Sequence, residues 1–145
     1  MTQDIDFCLF VSNARIRGLL KKAADAGFGF QEKEVISRIR ETGTFQINCG
    51  SYHIDFLVAS TDFEKTAFKR RQRLKVYGAD AYFPTAEDMI LFKIVPARHI
   101  DMADIEGIVG RKGADLDREY LLGWAQKLSD EAQEMRIYND IKELI

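Results

Sequence analysis

The chain has 145 residues, of which 46% are hydrophobic and 30% are charged, a composition normal for one soluble globular domain. The formal net charge is −2, which excludes recruitment of nucleic acid or an anionic membrane by an overall positive charge. No apolar stretch approaches the roughly 20 residues that span a bilayer, and no signal-peptide pattern is present. We therefore expect a cytoplasmic protein that does not enter the membrane.

The first half of the chain alternates strand-like and helix-like segments. Strand formers dominate its first apolar run, a helical stripe follows Ser12, and Gly50 lies between two further apolar runs. These patterns predict a buried strand over residues 4–11, a helix from Ser12 to Gly27, a helix within residues 28–42, and a hairpin of strands 44–49 and 53–59.

The second half is predicted to be mostly helical. Thr85 and Asp88 have the spacing of a capping box, and Pro96 must kink or end the helix that follows. The predicted elements are a helix over residues 63–71, a hairpin of strands 73–77 and 81–83 around Gly78, a helix from Thr85 to about Val95, a helix over 101–109, a polar break at 110–113, a long helix capped by Asp115 or Asp117, and a short helix over 137–145.

The order of these elements predicts an α/β (α+β) fold, with a mixed sheet, flanking helices and a helical C-terminal part. No repeat or linker divides the chain, so we expect one domain with a core over about residues 2–95 and the helical part over about 96–145. Cys8 and Cys49 match neither a zinc-ligand spacing nor a disulfide framework. Both lie in apolar stretches, which predicts buried, reduced thiols.

Three acidic residues interrupt strands that are otherwise apolar. Asp4 and Asp6 are two apart, so a strand places both carboxylates on one face, roughly 7 Å apart. Asp55 lies in a similar apolar strand. Carboxylates held close together repel one another, and Mg²⁺ would compensate their charge. The alternative is that Asp4 lies at a frayed end and that the other two face water without a metal.

The order of the motifs resembles the minimal nucleotidyltransferase superfamily. Thr-Gln-Asp-Ile-Asp-Phe at residues 2–7 is followed by a helix and then by a hairpin that ends in Ile-Asp-Phe-Leu at residues 54–57. Residues 84–93, with Ala97-Arg98 and Asp101-x-x-Asp104 after them, are similar to its uncharacterised and abortive-infection-type branch. That branch includes toxins and antitoxins of bacterial toxin–antitoxin systems. The resemblance covers about residues 2–125.

The resemblance implies a function and a set of metal ligands. Members of the family transfer NMP from an NTP to a hydroxyl group, with magnesium as the cofactor. Carried onto this sequence, Asp4, Asp6 and Asp55 would bind two Mg²⁺ ions, and Asp55 could instead act as the general base. The acceptor could be RNA, a protein or a small molecule.

The same resemblance implies a nucleotide-binding group further along the chain. Lys93, Arg98, Asp101 and Asp104 correspond to the lysine and the acidic helix of the family, and the lysine would contact the triphosphate. From the residues alone, Lys93, Ala97, Asp101 and Asp104 would share one face of an unbroken helix, which Pro96 interrupts. Arg98 and Asp101 also have the spacing of an ordinary i,i+3 ion pair at the surface.

The sequence departs from the family pattern upstream of the first acidic pair. The family has a Gly-Gly or Gly-Ser turn about ten residues before this pair, whereas Met1-Thr-Gln alone precede Asp4 here. Either the natural protein begins earlier than this chain, or the domain has lost a phosphate clamp. The second case favours the alternative of a catalytically inactive binding or antitoxin-type protein of the same fold. A missing first helix would also leave apolar sheet surface uncovered, which predicts self-association.

A basic run supplies a further alternative. Residues 69–75 carry five positive charges in seven positions. Such a run could bind the backbone of RNA and make the protein an RNA-binding module. No aromatic residue is interleaved within the run, and clusters of this kind are commonly a solvated helix face.

Overall fold

The computed structural model describes residues 4–145, except for the side chains of Asp4 and Asn13. The chain divides into two compact units, one that ends at Phe68 and one that spans Lys69–Ile145. Within the described residues there are seven α-helices and two sheets, one of them mixed. The predicted α+β class with flanking helices is therefore confirmed.

The first unit is a three-stranded mixed sheet with helices. Its elements are β1 (Asp4–Leu9), α1 (Asn13–Asp25), α2 (Glu32–Thr42), β2 (Thr44–Cys49), β3 (Tyr52–Val58) and α3 (Asp62–Arg70). The strand order is β1-β3-β2; β1 runs parallel to β3, and β2 runs antiparallel to it. The central strand is thus the second strand of the predicted hairpin.

The core of this unit lies on one face of the sheet. Alternate residues of β2 and β3 point to that face, where they pack against α1 and α2. The buried side chains of the core are Ile16, Leu20, Val35, Phe45, Ile47, Ile54 and Val58. The residues between them in the strands, which are largely polar, point to the opposite face. This alternation decides where the acidic residues lie.

The second unit consists of a two-stranded hairpin and a group of helices. Its elements are β4 (Gln72–Val76), β5 (Ala79–Phe83), α4 (Ala86–Ile94), α5 (His99–Lys112), a 3₁₀ turn (Gly113–Asp115), α6 (Arg118–Ala132) and α7 (Arg136–Leu144). Helix α4 packs against α5, α6 and α7, and α6 packs against α7. Fully buried side chains come from all four helices, among them Ile90, Leu91, Ile94, Ile105, Leu121, Ile137 and Ile141.

The predicted helices and strands are present, with ends shifted by a few residues. The prediction of a polar break at residues 110–113 is wrong. Helix α5 continues through Gly110 to Lys112, and the N–H of Gly113 still donates to the carbonyl of Val109. A single glycine within a helix costs only about 1 kcal/mol, which is too little to end it. Pro96 acts as predicted, since α4 ends at Ile94.

The two thiols differ in exposure. Cys49 lies at the end of β2 and is exposed, so the prediction that it is buried is wrong. It is the last residue of an edge strand, two positions beyond the buried Ile47. Cys8 is half-buried, and burial raises the pKa of its thiol. Among the described residues, no helix is long and apolar enough to cross a membrane.

Candidate functional site

Two of the three predicted metal ligands lie side by side in the sheet. Asp6 of β1 is the direct partner of Asp55 of β3, which in turn is the partner of Gln46 of β2. Directly paired residues point to the same face, and neighbouring strands lie roughly 4.8 Å apart. The three side chains therefore form a row on the face opposite the core. We call Asp6, Asp55 and Gln46 the acidic row.

The acidic row is oriented by an amide. Nε2 of Gln46 donates a hydrogen bond of 2.8 Å to Oδ1 of Asp55, which fixes that carboxylate on the sheet. Asp6 is exposed and Asp55 is half-buried, so both remain accessible from solvent. The next row has a similar pair, in which Nδ1 of His53 lies 2.8 Å from Oδ1 of Asn48.

The third predicted ligand falls partly outside the described residues. The backbone of Asp4 pairs with that of His53, two residues before the pair of Asp6 and Asp55 in both strands. Residues two apart in a strand point to the same face. The side chain of Asp4 is not among those described, and its predicted role stays a prediction.

A depression of about 370 Å³ borders the acidic row. It is lined by Asp6, Asp55 and Gln46, by their strand neighbours and by Arg38 of α2. Its volume is in the lower part of the range of small-molecule sites, about 300–1,000 Å³.

The residues of the row fit a hard cation in their chemistry. Carboxylate oxygens are the ligands that Mg²⁺ prefers, and one or two of them commonly suffice when phosphates and waters complete the coordination. Within the described part of the chain, no three residues among His, Cys, Asp and Glu converge as a complete metal site. Asp6 and Asp55 thus fit a magnesium ion that is shared with a ligand, rather than a closed structural site.

The second predicted group comes together at the junction of α4 and α5. Nζ of Lys93 lies 2.6 Å from Oδ2 of Asp104 and 3.6 Å from Oδ1 of Asp101. Nε of Arg98 lies 2.7 Å from Oδ2 of Asp101. The chain reverses at Pro96, so these residues meet across two helices rather than along one face of an unbroken helix. The structure therefore joins all four.

Asp101 has a structural function in this junction. Its side chain is only 2% exposed, and it also accepts a hydrogen bond of 3.1 Å from the backbone N–H of Arg98 at the start of α5. The hydrogen bond from the Arg98 side chain holds the pKa of Asp101 below its usual value. The i,i+3 ion pair that the sequence left open is present, with a buried carboxylate and a largely exposed arginine.

Asp88 is a buried charge that the sequence analysis did not identify. Its backbone N–H donates to Oγ1 of Thr85 at 3.2 Å, as the predicted cap requires. Its carboxylate is 0% exposed and accepts from Oγ1 of Thr85 at 2.9 Å, from Nε of Arg70 at 3.2 Å and from the hydroxyl of Tyr120 at 2.5 Å. Burial, followed by this hydrogen bond, raises the pKa of Tyr120. The sequence signal for this burial is that Asp88 is followed directly by the apolar residues Met-Ile-Leu.

The basic run does not lie on a single helix face. Lys69 and Arg70 end α3, while Arg73 and Lys75 lie in β4 of the hairpin. Arg70 is turned inward: its guanidinium contacts Asp88 and lies 3.8 Å from the ring centroid of Tyr120. The run therefore separates into one structural arginine and an exposed basic strand.

No protein-family model matches this chain, and no curated protein is significantly similar to it.

Proposed function

We propose that this protein is a magnesium-dependent nucleotidyltransferase that moves NMP from an NTP to a hydroxyl acceptor. The observation that carries the proposal is the register of β1 and β3, which pairs Asp6 with Asp55 on the sheet face opposite the core. Two accessible carboxylates in adjacent positions repel each other, and a divalent cation would relieve that repulsion.

The chemistry assigns a role to each residue of the acidic row. Asp6 and Asp55 would hold the cation, with Asp4 as the third ligand that the family resemblance implies. When bound, the cation neutralises phosphate charge and favours the attacking hydroxylate. The acceptor oxygen bonds to the α-phosphorus, the bond to the bridging oxygen breaks and pyrophosphate leaves. The hydroxyl proton passes to water, or to Asp55 where Asp55 serves as the general base instead of as a metal ligand, and Gln46 keeps the Asp55 carboxylate in position.

The junction of α4 and α5 has a less direct part in this proposal. The resemblance assigns Lys93 to the phosphates, with Arg98 and Asp101 beside it. Lys93 already forms ion pairs with Asp101 and Asp104. A phosphate would have to replace Asp104, which is 49% exposed, as its partner. Lys93→Ala should therefore weaken NTP binding without changing the binding of metal alone.

The test measures metal binding and transfer in the same variants. Mn²⁺ serves as a spectroscopic substitute for Mg²⁺, and α-labelled NTPs report transfer to protein, RNA or water-soluble acceptors. We expect Asp6→Asn and Asp55→Asn each to weaken Mn²⁺ binding by roughly tenfold or more and to abolish transfer, because a charged ligand becomes neutral. Asp115→Asn, an exposed aspartate in the 3₁₀ turn, is the matched control and should change neither.

The outcomes separate the proposal from its alternative. Mn²⁺ binding that depends on Asp6 without any transfer would identify a binding-only or antitoxin-type protein of the same fold. Absence of Mn²⁺ binding by the unaltered chain, or equal binding by the Asp6 variant, would contradict the metal site itself.

A further inference from the structure

The hairpin of β4 and β5 is an exposed element of the second unit. Its strands pair only with each other within the described residues, and every residue from 71 to 80 is exposed. A two-stranded hairpin is marginally stable by itself in water. The surface residues of this exposed hairpin are accessible to a ligand.

The register of the hairpin places an aromatic ring among the basic side chains. Arg73 lies opposite Tyr82, and Lys75 lies opposite Asp80, so these four side chains share one face. We call them the hairpin face. The guanidinium of Arg71 lies 4.9 Å from the ring centroid of Tyr82. Basic and aromatic side chains thus lie next to one another on the folded hairpin, although no aromatic residue lies within the basic run of the sequence.

The turn of the hairpin carries a second aromatic residue in an unfavourable conformation. Tyr77 and Gly78 have φ angles of 49° and 82°, which is the pattern of a type I′ turn. Asn-Gly is the usual pair in such a turn, because a bulky residue at positive φ is strained. Tyr77 is fully exposed, so packing does not compensate for this strain. Strain of this kind is typical of residues kept for contact with a ligand.

The base of the hairpin is fixed to the helices of the same unit. Arg70 immediately precedes the hairpin, and it contacts the buried Asp88 and the ring of Tyr120. This arginine therefore does not belong to the exposed basic surface. It anchors the chain two residues before β4, the strand that carries Arg73 and Lys75.

We propose that the hairpin binds single-stranded nucleic acid. Arg71, Arg73 and Lys75 would contact the phosphates, and unpaired bases would stack on Tyr77 and Tyr82. Charge favours this ligand: the exposed residues 71–80 carry three positive charges and one negative charge, whereas the whole chain has a net charge of −2. Exposed rings beside the cations favour unpaired bases over a duplex or a lipid surface. The proposal does not depend on the acidic row, which lies in the first unit.

The binding experiment uses the full chain and fluorescence anisotropy. The probes are labelled U-rich RNA and T-rich DNA of about 12 nucleotides, at about 50 mM salt. We expect both to bind. The variant with Arg71, Arg73 and Lys75 changed to Gln should bind at least about tenfold more weakly, and its salt dependence should be shallower by about two units of slope. The same charge change at Arg15, Lys21 and Lys22 of α1 is the matched control and should have a small effect.

Two single substitutions distinguish recognition from folding. Tyr77→Asn supplies the residue that the turn prefers, so we expect a higher melting temperature together with at least about fivefold weaker binding. Asp80→Asn removes the acidic residue that pairs with Arg73, so it should bind more tightly than the unaltered chain. A general loss of structure would move stability and binding together in the same direction.

Three results would overturn the proposal. One is that the unaltered chain binds neither oligonucleotide at low salt. Another is that the hairpin and α1 charge variants lose affinity equally. The third is that a duplex of the same length, or vesicles containing phosphatidylserine, bind as tightly as the single strands. Stronger binding of RNA than of DNA would identify RNA as the natural form of the ligand.

Discussion

Asp88 shows how a single buried charge can be tolerated in this protein. The cost of removing its carboxylate from water is offset by the charge of Arg70 and by two hydroxyl donors, Thr85 and Tyr120. The side chains of Asp6 and Asp55 differ from it, because they are accessible from solvent and Asp55 accepts its hydrogen bond from the neutral amide of Gln46 rather than from a cation. A buried and satisfied acid indicates structure, whereas accessible paired acids indicate binding.

Substitutions at Asp88 should reveal this difference in urea unfolding. Asp88→Ala leaves two hydroxyls without their acceptor and removes one of the two carboxylates beside Arg70, which keeps Glu87 at 3.5 Å, so we expect a loss of about 2–3 kcal/mol in the free energy of unfolding. Tyr120→Phe removes one donor and should cost about 1–2 kcal/mol. Tyr77→Phe, at an exposed hydroxyl, is the control and should cost almost nothing. A loss below about 1 kcal/mol for Asp88→Ala would contradict the assignment.

Two helix ends illustrate how elements are terminated. Helix α2 is followed by Gly43, whose φ is 70° and whose N–H donates to the carbonyl of Ile39. Helix α4 is followed at Ala97 by a similar conformation, with a φ of 45° and an N–H that donates to the carbonyl of Lys93. The left-handed conformation suits glycine and strains alanine.

Exchanging the residues at these ends should move stability in opposite directions. Ala97→Gly relieves strain and should raise the free energy of unfolding by up to about 1 kcal/mol. Gly43→Ala should lower the free energy of unfolding by about 1 kcal/mol, because alanine is strained at this positive φ. The loss should be no larger, because the added Cβ would meet the carbonyl oxygen of Val58 at an ordinary 3.9 Å. Thermal unfolding of both variants checks this. If Ala97→Gly destabilises the protein, entropy of the unfolded chain outweighs the strain.

At the scale of the whole molecule, β1 is an edge strand with uncovered apolar side chains. Ile5 is 46% exposed and Phe7 is 49% exposed, although both alternate with the acidic residues and point to the core side of the sheet. The ring of Phe7 stacks on that of Phe56, with centroids 5.5 Å apart. Exposed apolar edges of this kind favour pairing with another chain.

We therefore keep the expectation that the protein self-associates. Sedimentation velocity over a range of concentrations should show a reversible oligomer, and Phe7→Lys should shift it toward the monomer. Ile100→Lys is the matched control, because Ile100 is an equally apolar residue of α5 that is 67% exposed. A monomer at every concentration would rule out self-association through this edge.

The sequence by itself determined most of the elements. Thr85 caps α4 and Pro96 ends it, and α1 begins directly after Ser12, although the Ser12 side chain makes no capping hydrogen bond. A local pattern therefore suffices to place these helix ends. The period of two in the strands likewise marked Asp6 and Asp55 as acids in apolar surroundings. The predictions of helices and strands succeed because the physics that decides them involves residues close together in the chain.

Only the tertiary structure decided which side chains meet. The pairing of Asp6 with Asp55 depends on the parallel register of strands about 50 residues apart. The burial of Asp88 depends on Arg70 and Tyr120, and the place of Tyr82 beside Arg71 depends on how the hairpin closes. Such contacts are set by strand pairing and helix packing over the whole unit, and no local pattern of residues specifies them.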